Sequence, residues 1–218
     1  MSTRSGSRQP ARTAKSEQTR ARILDAALSL FNEQGTAAVS TNHIAAAAGL
    51  SPGNLYYHYS DKQQIVRALY ERYVSAHEDL WNLGESSPAD LDALRANLGR
   101  GMDLAWRYRF AERELLALLR ADPVLRTSYR DAYERRLSQW IAFGERLVAR
   151  GVLRRPEPPA TIADLAVAIW LIGGNWLPFL ELTGDPQDVG QVARGGDIVL
   201  VVLGPYLVEP TDVTKEDS

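Results

Sequence analysis

Between Ser40 and Lys62 the chain reads STNHIAAAAGLSPGNLYYHYSDK, a dense set of groups that suit a polyanion. The amide of Asn54 can pair with the N6/N7 edge of adenine. The hydroxyls of Tyr56 and Tyr57 and the ammonium of Lys62 suit phosphate oxygens, and His58 completes that face. Ser40, Thr41 and Asn42 fall where a helix begins, which is where anions are attracted. Pro52 and Gly53 bring no polar side chain, so base reading here rests on Asn54, Asn42 and van der Waals contact. Gly49-Leu50-Ser51-Pro52-Gly53 also spells G-x-S-x-G, the nucleophile-elbow pattern. That motif needs a strand before it, and an alanine-rich helix stands there instead. The three histidines, His43, His58 and His77, lack metal-ligand spacing. With no constellation of acid, base and nucleophile, an enzyme is not expected, nor a metal or cofactor.

Two short helices must present those groups. Ser40-Thr41 caps a run of helix formers, Ile44 to Ala48, that closes at Gly49. Ser51 caps a second helix with Pro52 at its first position, where the missing N–H costs nothing. This helix, Pro52 to about Tyr57, offers only Leu55 to a core and is too short to stand alone. The pattern is a helix-turn-helix over about residues 40–59, of the kind that sets its second helix in a major groove.

The remaining chain reads as helices. One is expected from about Ser16 to Gln34, with Ile23, Ala27, Leu30 and Phe31 on one stripe and Gly35 closing it. Ser60 with Gln63 forms a capping box that opens a helix to about Leu83. Ser87-Pro88 caps the next, with Leu91, Leu94, Leu98 and Met102 in register. A kink near residues 107–111 leads to a leucine-rich helix, and Asp122-Pro123 starts the longest one, ending at Gly151. After a proline-stiffened linker, Leu165 to Leu182 is apolar enough to be buried on nearly all sides, though Asp164, Asn175 and Pro178 argue against a membrane span. Asp185-Pro186 starts the last helix. Its segment IVLVVL is strand-like by propensity, but no second strand exists to pair with it.

Composition bounds the class. The 218 residues are 45% hydrophobic with a net charge of −2 and no cysteine, which excludes disulfides and thiol chemistry. The N-terminus has no apolar core, so no secretory signal is read and the cytoplasm is expected. Residues 1–62 carry +3 and the rest −5, a basic head on an acidic body.

TRARILDAALSLFNEQG followed by STNHIAAAAGLSPGNLYYHYSDKQQIVRAL closely resembles the N-terminal domain of TetR-type (tetracycline-repressor-like) transcriptional regulators, over about residues 17–77. The resemblance implies a homodimer joined through its last two helices, a palindromic operator in double-stranded DNA, and a small-molecule effector pocket in the C-terminal helices. It assigns DNA contacts to Ser40, Thr41, Asn42, Ser51, Pro52, Gly53, Asn54, Tyr56, Tyr57, His58 and Lys62. The organisation expected is a flexible basic arm over 1–16, the DNA-binding domain over 17–77, an effector-binding and dimerisation domain over 78–208, and a disordered tail over 209–218. The fold class is all-α, about nine helices in all. Aromatic residues exceed what a small bundle core needs, so Trp106, Phe110, Tyr133, Trp140, Phe143, Trp170 and Trp176 are candidates for an apolar effector cavity. Leu165, Ile169, Gly195, Gly196, Val199 and Val202 are candidates for the dimer seam. A helical protein–protein module without sequence-specific DNA binding is the alternative. The basic arm and the Tyr-Tyr-His face argue against it, since they match phosphates better than a protein surface.

Overall fold

Capping chemistry sets most of the helix boundaries in the computed structural model, which describes residues 9–81 and 88–208. Among these residues the chain forms nine α-helices and one 3-10 turn. Its only β-pairing there is a single bridge between Leu153 and Leu207. Helix α1 runs Gln9–Ala38 and bends at Gly35, whose φ of 77° favours glycine. It therefore starts well before Ser16, and residues 9–16 of the expected flexible arm are helical. Arginine, glutamine, alanine and lysine are good helix formers even where few apolar groups are present. Residues 1–8 of that arm and the expected tail over 209–218 lie outside the described residues.

The reading head forms as expected. Ser40 caps α2 (Thr41–Ala47) by accepting from the backbone N–H of His43 at 3.2 Å. The turn passes through Gly49, with φ 64°, and Ser51 caps α3 (Pro52–His58) by accepting from Asn54 N–H at 3.3 Å. Helix α4 is Lys62–Trp81. Its cap is Asp61 rather than Ser60: the carboxylate accepts from Gln64 N–H at 2.8 Å, and Gln64 returns an acceptor to Ser60 N–H at 3.1 Å. The box is shifted by one residue because a carboxylate outcompetes a hydroxyl for these donors.

The body follows the same logic. Asp90, not Ser87-Pro88, caps α5 (Leu91–Arg107); Ser87 lies outside the described residues. A break at Tyr108 leads to α6 (Arg109–Ala121), and Asp122 caps α7 (Pro123–Ala149). At 27 residues α7 is shorter than the bent 30-residue α1, which the sequence reading started too late. Thr161 and Asp164 form a capping box on α8 (Ile162–Thr183). Asp185 forms a turn with Gln187 and Asp188, and α9 (Val189–Leu203) starts at its Asp188 cap. The IVLVVL segment is helical within α9.

One hydrophobic core runs from α1 through α2–α4 into α6 and α7, built on Ile23, Phe31, Ile44, Leu55, Leu69 and Phe110. Burying each such side chain contributes about 1.5–3 kcal/mol, which holds the short α3 in place through Leu55. A second core joins the far end of α4 to α5, α7, α8 and α9 around Trp81, Leu94, Phe143, Leu147 and Leu203. Helix α8 is long and apolar enough to cross a membrane by length and composition. It is not buried on nearly all sides: Leu171, Phe179 and Leu182 are 58%, 51% and 88% exposed. Its inner face packs on α7 and α9, and its outer face is covered by nothing among the described residues.

Candidate nucleic-acid interface and effector cavity

The tip of the molecule is the exposed surface of α2 and α3. Leu55 alone anchors α3 inward, so Ser51, Pro52, Gly53, Asn54, Tyr56 and Tyr57 are all exposed, Tyr57 by 79%. Tyr56 shares a 2.8 Å hydrogen bond with the Thr41 hydroxyl, which ties the two helices and fixes the Tyr56 ring. Asn42 lies exposed on α2 beside them, and Asn54 has a side chain free to address a base edge. His58 packs edge-on against Tyr57, ring centroids 5.1 Å apart.

Three basic side chains are spent on building this head. Arg20 donates to the His58 carbonyl at 3.0 Å and lies over the Tyr59 ring; Arg22 donates to the Ala48 carbonyl at 2.5 Å. Each places a cation on the C-terminal end of a helix, where the carbonyls lack partners. Lys62, expected to meet phosphate, donates to the carbonyls of Thr36 and Val39 at 2.6 and 2.9 Å. It braces the junction of α1 and α2. An internal pair of carbonyls this close to a helix end is invisible to spacing alone.

A cavity with about 780 Å³ of empty space, open solvent included, lies among α4 to α9. Tyr70, Tyr73, His77 and Trp81 line it from α4, Asn97 and Met102 from α5, Glu112 from α6, and Tyr129, Arg136 and Trp140 from α7. Ile169 and Trp170 of α8 and Gly195, Gly196 and Val199 of α9 close it. The Tyr73 hydroxyl donates to Glu112 at 2.5 Å. Burial pushes the Glu112 carboxyl above its usual range and the Tyr73 phenol well above its own. Burial, aided by the positive Arg136, holds His77 well below its ordinary value, so it is neutral.

Only two of the seven expected cavity aromatics line this space, Trp140 and Trp170. Phe110 packs on Phe31 in the core, centroids 5.4 Å apart. Phe143 packs on Trp81 and lines a separate apolar pocket of about 430 Å³. Tyr133 meets the Trp170 ring edge-on, Trp106 is covered by the Arg109 guanidinium, and Trp176 donates its indole N–H to the Gln191 carbonyl. The polar lining was missed. Its available signal was Arg136 falling on the same apolar stripe of α7 as Tyr129 and Trp140.

Two family models cover most of the chain: "Bacterial regulatory proteins, tetR family" matches residues 23–69, and the TetR model, "Bacterial transcriptional repressor", matches residues 72–212. A TetR-family transcriptional regulator of Marinobacter aquaeolei VT8 is 33% identical, covering 88% of this chain and 92% of that one with a TM-score of 0.79. The chain belongs to the TetR family. Among curated relatives, the transcriptional regulator AcrR of Shigella flexneri is 37% identical over 78 residues, 36% of this chain and 31% of AcrR. The transcriptional repressor KstR2 of Rhodococcus jostii is 34% identical over 79 residues, covering 34% of this chain and 39% of that protein. The matches thus span about a third of the length of these curated relatives, which are regulators rather than enzymes.

In this TetR-family chain, α6 touches both the head and the cavity. Glu114 accepts from the Thr36 N–H at 2.9 Å and from the Thr36 hydroxyl. A Cβ at Gly35 would come within 2.9 Å of the same carboxylate, so glycine is required there twice over. Asn32 of α1 accepts from Phe110 N–H at 3.1 Å and donates to the Arg107 carbonyl at 2.9 Å. Arg113, between Glu112 and Glu114, pairs with Glu181 of α8. Arg113 and Glu114 are thus both engaged.

The expected seam residues divide. Gly195, Gly196 and Val199 are buried within the chain, where a Cβ on Gly195 would strike Met102 and Trp176. Leu165 and Ile169 are partly buried in the second core. Only Val202 is exposed, beside Val201, which is 70% exposed. The glycines permit close approach of α9 to this chain's own α5 and α8 instead of to another copy.

Proposed function

We propose that this chain is a homodimeric transcriptional repressor acting in the cytoplasm, which holds a palindromic operator through α3 and leaves it when a small, largely apolar effector fills the cavity. The observation that carries this reading is the bare tip of α3. Asn54, Tyr56 and Tyr57 are held outward by a head whose Arg20, Arg22 and Lys62 are internally engaged. An exposed Asn and two hydroxyls on a helix stub match base edges and phosphates.

Dimerisation is assigned to the outer faces of α8 and α9, with Leu171, Phe179, Leu182, Val201 and Val202 in place of the buried glycines. An apolar surface of this extent favours a partner. A two-fold axis there would set the two α3 tips about 34–36 Å apart, one helical turn of DNA. Coupling then runs through α6, whose Glu112 meets the cavity and whose Glu114 holds Thr36, as well as through α4. Gel retardation with the DNA flanking the protein's own gene is the test. Specific retardation at physiological salt is expected. Binding no tighter than to random duplex would refute the repressor reading, and no retardation even at low salt would favour a protein-docking module.

A further inference from the structure

Given that reading of the cavity as the effector site, we propose that the effector is an organic anion: a carboxylate on an apolar, aromatic-sized body, with its acid group held by Arg136. The Arg136 side chain is 6% exposed yet lines the cavity. Among the described residues it has no ion pair and no hydrogen bond, and its Nε is a buried donor without an acceptor. Its one close engagement is with ring faces. The guanidinium carbon lies 4.4 Å from the Trp170 centroid, and 5.8 and 5.9 Å from those of Tyr73 and Trp140. Held over these rings, the guanidinium keeps unmatched donors, Nε among them, and a guanidinium donor fork matches a carboxylate.

Arginine has no means of shedding this charge, because it stays protonated in any protein setting. Glu112, the acid whose field it feels, is engaged by the Tyr73 hydroxyl and is pushed towards its neutral form by burial. The other unpartnered groups point the same way. Asn97 is 1% exposed; its Oδ1 accepts from Arg100, while its Nδ2 has no acceptor. The indole N–H of Trp140 is also unmatched. Apart from the Nδ1 of the neutral His77, the unmatched groups of the cavity are donors (Arg136, Asn97, Trp81 and Trp140) around one buried cation, which is complementary to an acceptor-rich anion. A neutral body would leave the guanidinium uncompensated, and a cation would be repelled by it.

The test uses full-length protein without DNA, reading quenching of tryptophan fluorescence with three matched probes: 1-naphthaleneacetate, its primary amide, and 2-(1-naphthyl)ethylamine. The acid is expected to bind about 10–100-fold tighter than the amide, the range for a charge-assisted pair against a neutral one. Arg136→Met should erase that preference, and Arg136→Lys should retain part of it. Thermal unfolding of ligand-free Arg136→Met separates a binding role from a structural one: a melting temperature equal to or above wild type is expected, since an unpaired buried charge is removed. The proposal is overturned if the amide or amine binds as well as the acid, if Arg136→Met keeps the acid preference, or if that variant melts markedly lower. It is also overturned if no acid binds more tightly than about 1 mM. Retardation of DNA without ligand reads the repressor proposal separately, so either can fail while the other stands.

Discussion

Replacing Lys62 with methionine separates two physical accounts of one side chain. If the ammonium braces the head, its loss removes two charged hydrogen bonds, to the Thr36 carbonyl at 2.6 Å and the Val39 carbonyl at 2.9 Å. Each such bond contributes about 1.5–3 kcal/mol when well shielded, and Lys62 is only partly buried, so about 2–4 kcal/mol together is reasonable. For a chain of this size that lowers the melting temperature by roughly 5–12 °C. The methionine stem keeps the apolar packing, so cavity formation does not confuse the result. DNA binding then supplies the second readout. A lysine bound to phosphate would add about 0.9 to the slope of log affinity against log salt for each protomer. The brace account expects that slope to stay at the wild-type value when both proteins are measured well below their transitions. Unchanged thermal stability together with a slope reduced by about 0.9 per protomer would refute it, and would mean that Lys62 swings out to meet the backbone.

Four further outcomes follow from the geometry. Asn54→Ala should relax preference at one base pair of the operator by about 1–3 kcal/mol in a selection or competition assay, while Tyr57→Ala weakens binding to all sequences alike. His77 has a folded pKa below its ordinary 6.5, so the unfolded chain binds the proton more readily and stability from this group falls as pH drops below 6.5. Glu112, raised by burial, acts in the opposite sense; comparing wild type with His77→Phe by chemical denaturation isolates the histidine, and the variant should lose up to about 1.4 kcal/mol less per pH unit. Glu114→Gln should retain specific retardation of the operator yet lose several-fold of any effector-driven release, because one charged acceptor of the Thr36 N–H becomes a neutral amide.

The head was legible because its information is local. Ser40, Gly49, Ser51 and Pro52 each act within four residues, through a cap, a positive φ or a missing N–H, and the helices start and stop where those effects place them. Starts set by competition between neighbouring caps were misread by one to three residues, at Asp61, Asp90 and Asp188, since nearby hydroxyls or prolines offered an equally plausible start. Direction was the harder problem in the body. Phe110 and Trp140 have the same apolar and aromatic character, yet α6 turns the first onto Phe31 while α7 turns the second into the cavity. Periodicity reports which residues share a face but not which neighbour that face meets. The same limit applies to Gly195-Gly196: small residues there announce close packing equally for α5 of the same chain and for a second copy.

Under the proposed function, helix α6 offers a route from the cavity to the tip. Residues 112, 113 and 114 are successive, and 100° of rotation per residue sends their side chains to three different neighbours. Glu112 goes to the cavity, Arg113 to Glu181 of α8, and Glu114 to Thr36 at the end of α1. A ligand that repositions Glu112 or Arg136 cannot turn α6 without also moving Glu114. Thr36 in turn carries one of the two carbonyls that Lys62 holds, four residues before the Ser40 cap of α2. Each bond in that chain is worth about 1–3 kcal/mol, the same size as a typical allosteric coupling energy. One such contact made in the DNA-bound arrangement and lost in the effector-bound one is therefore enough, and no wholesale rearrangement of the body is required.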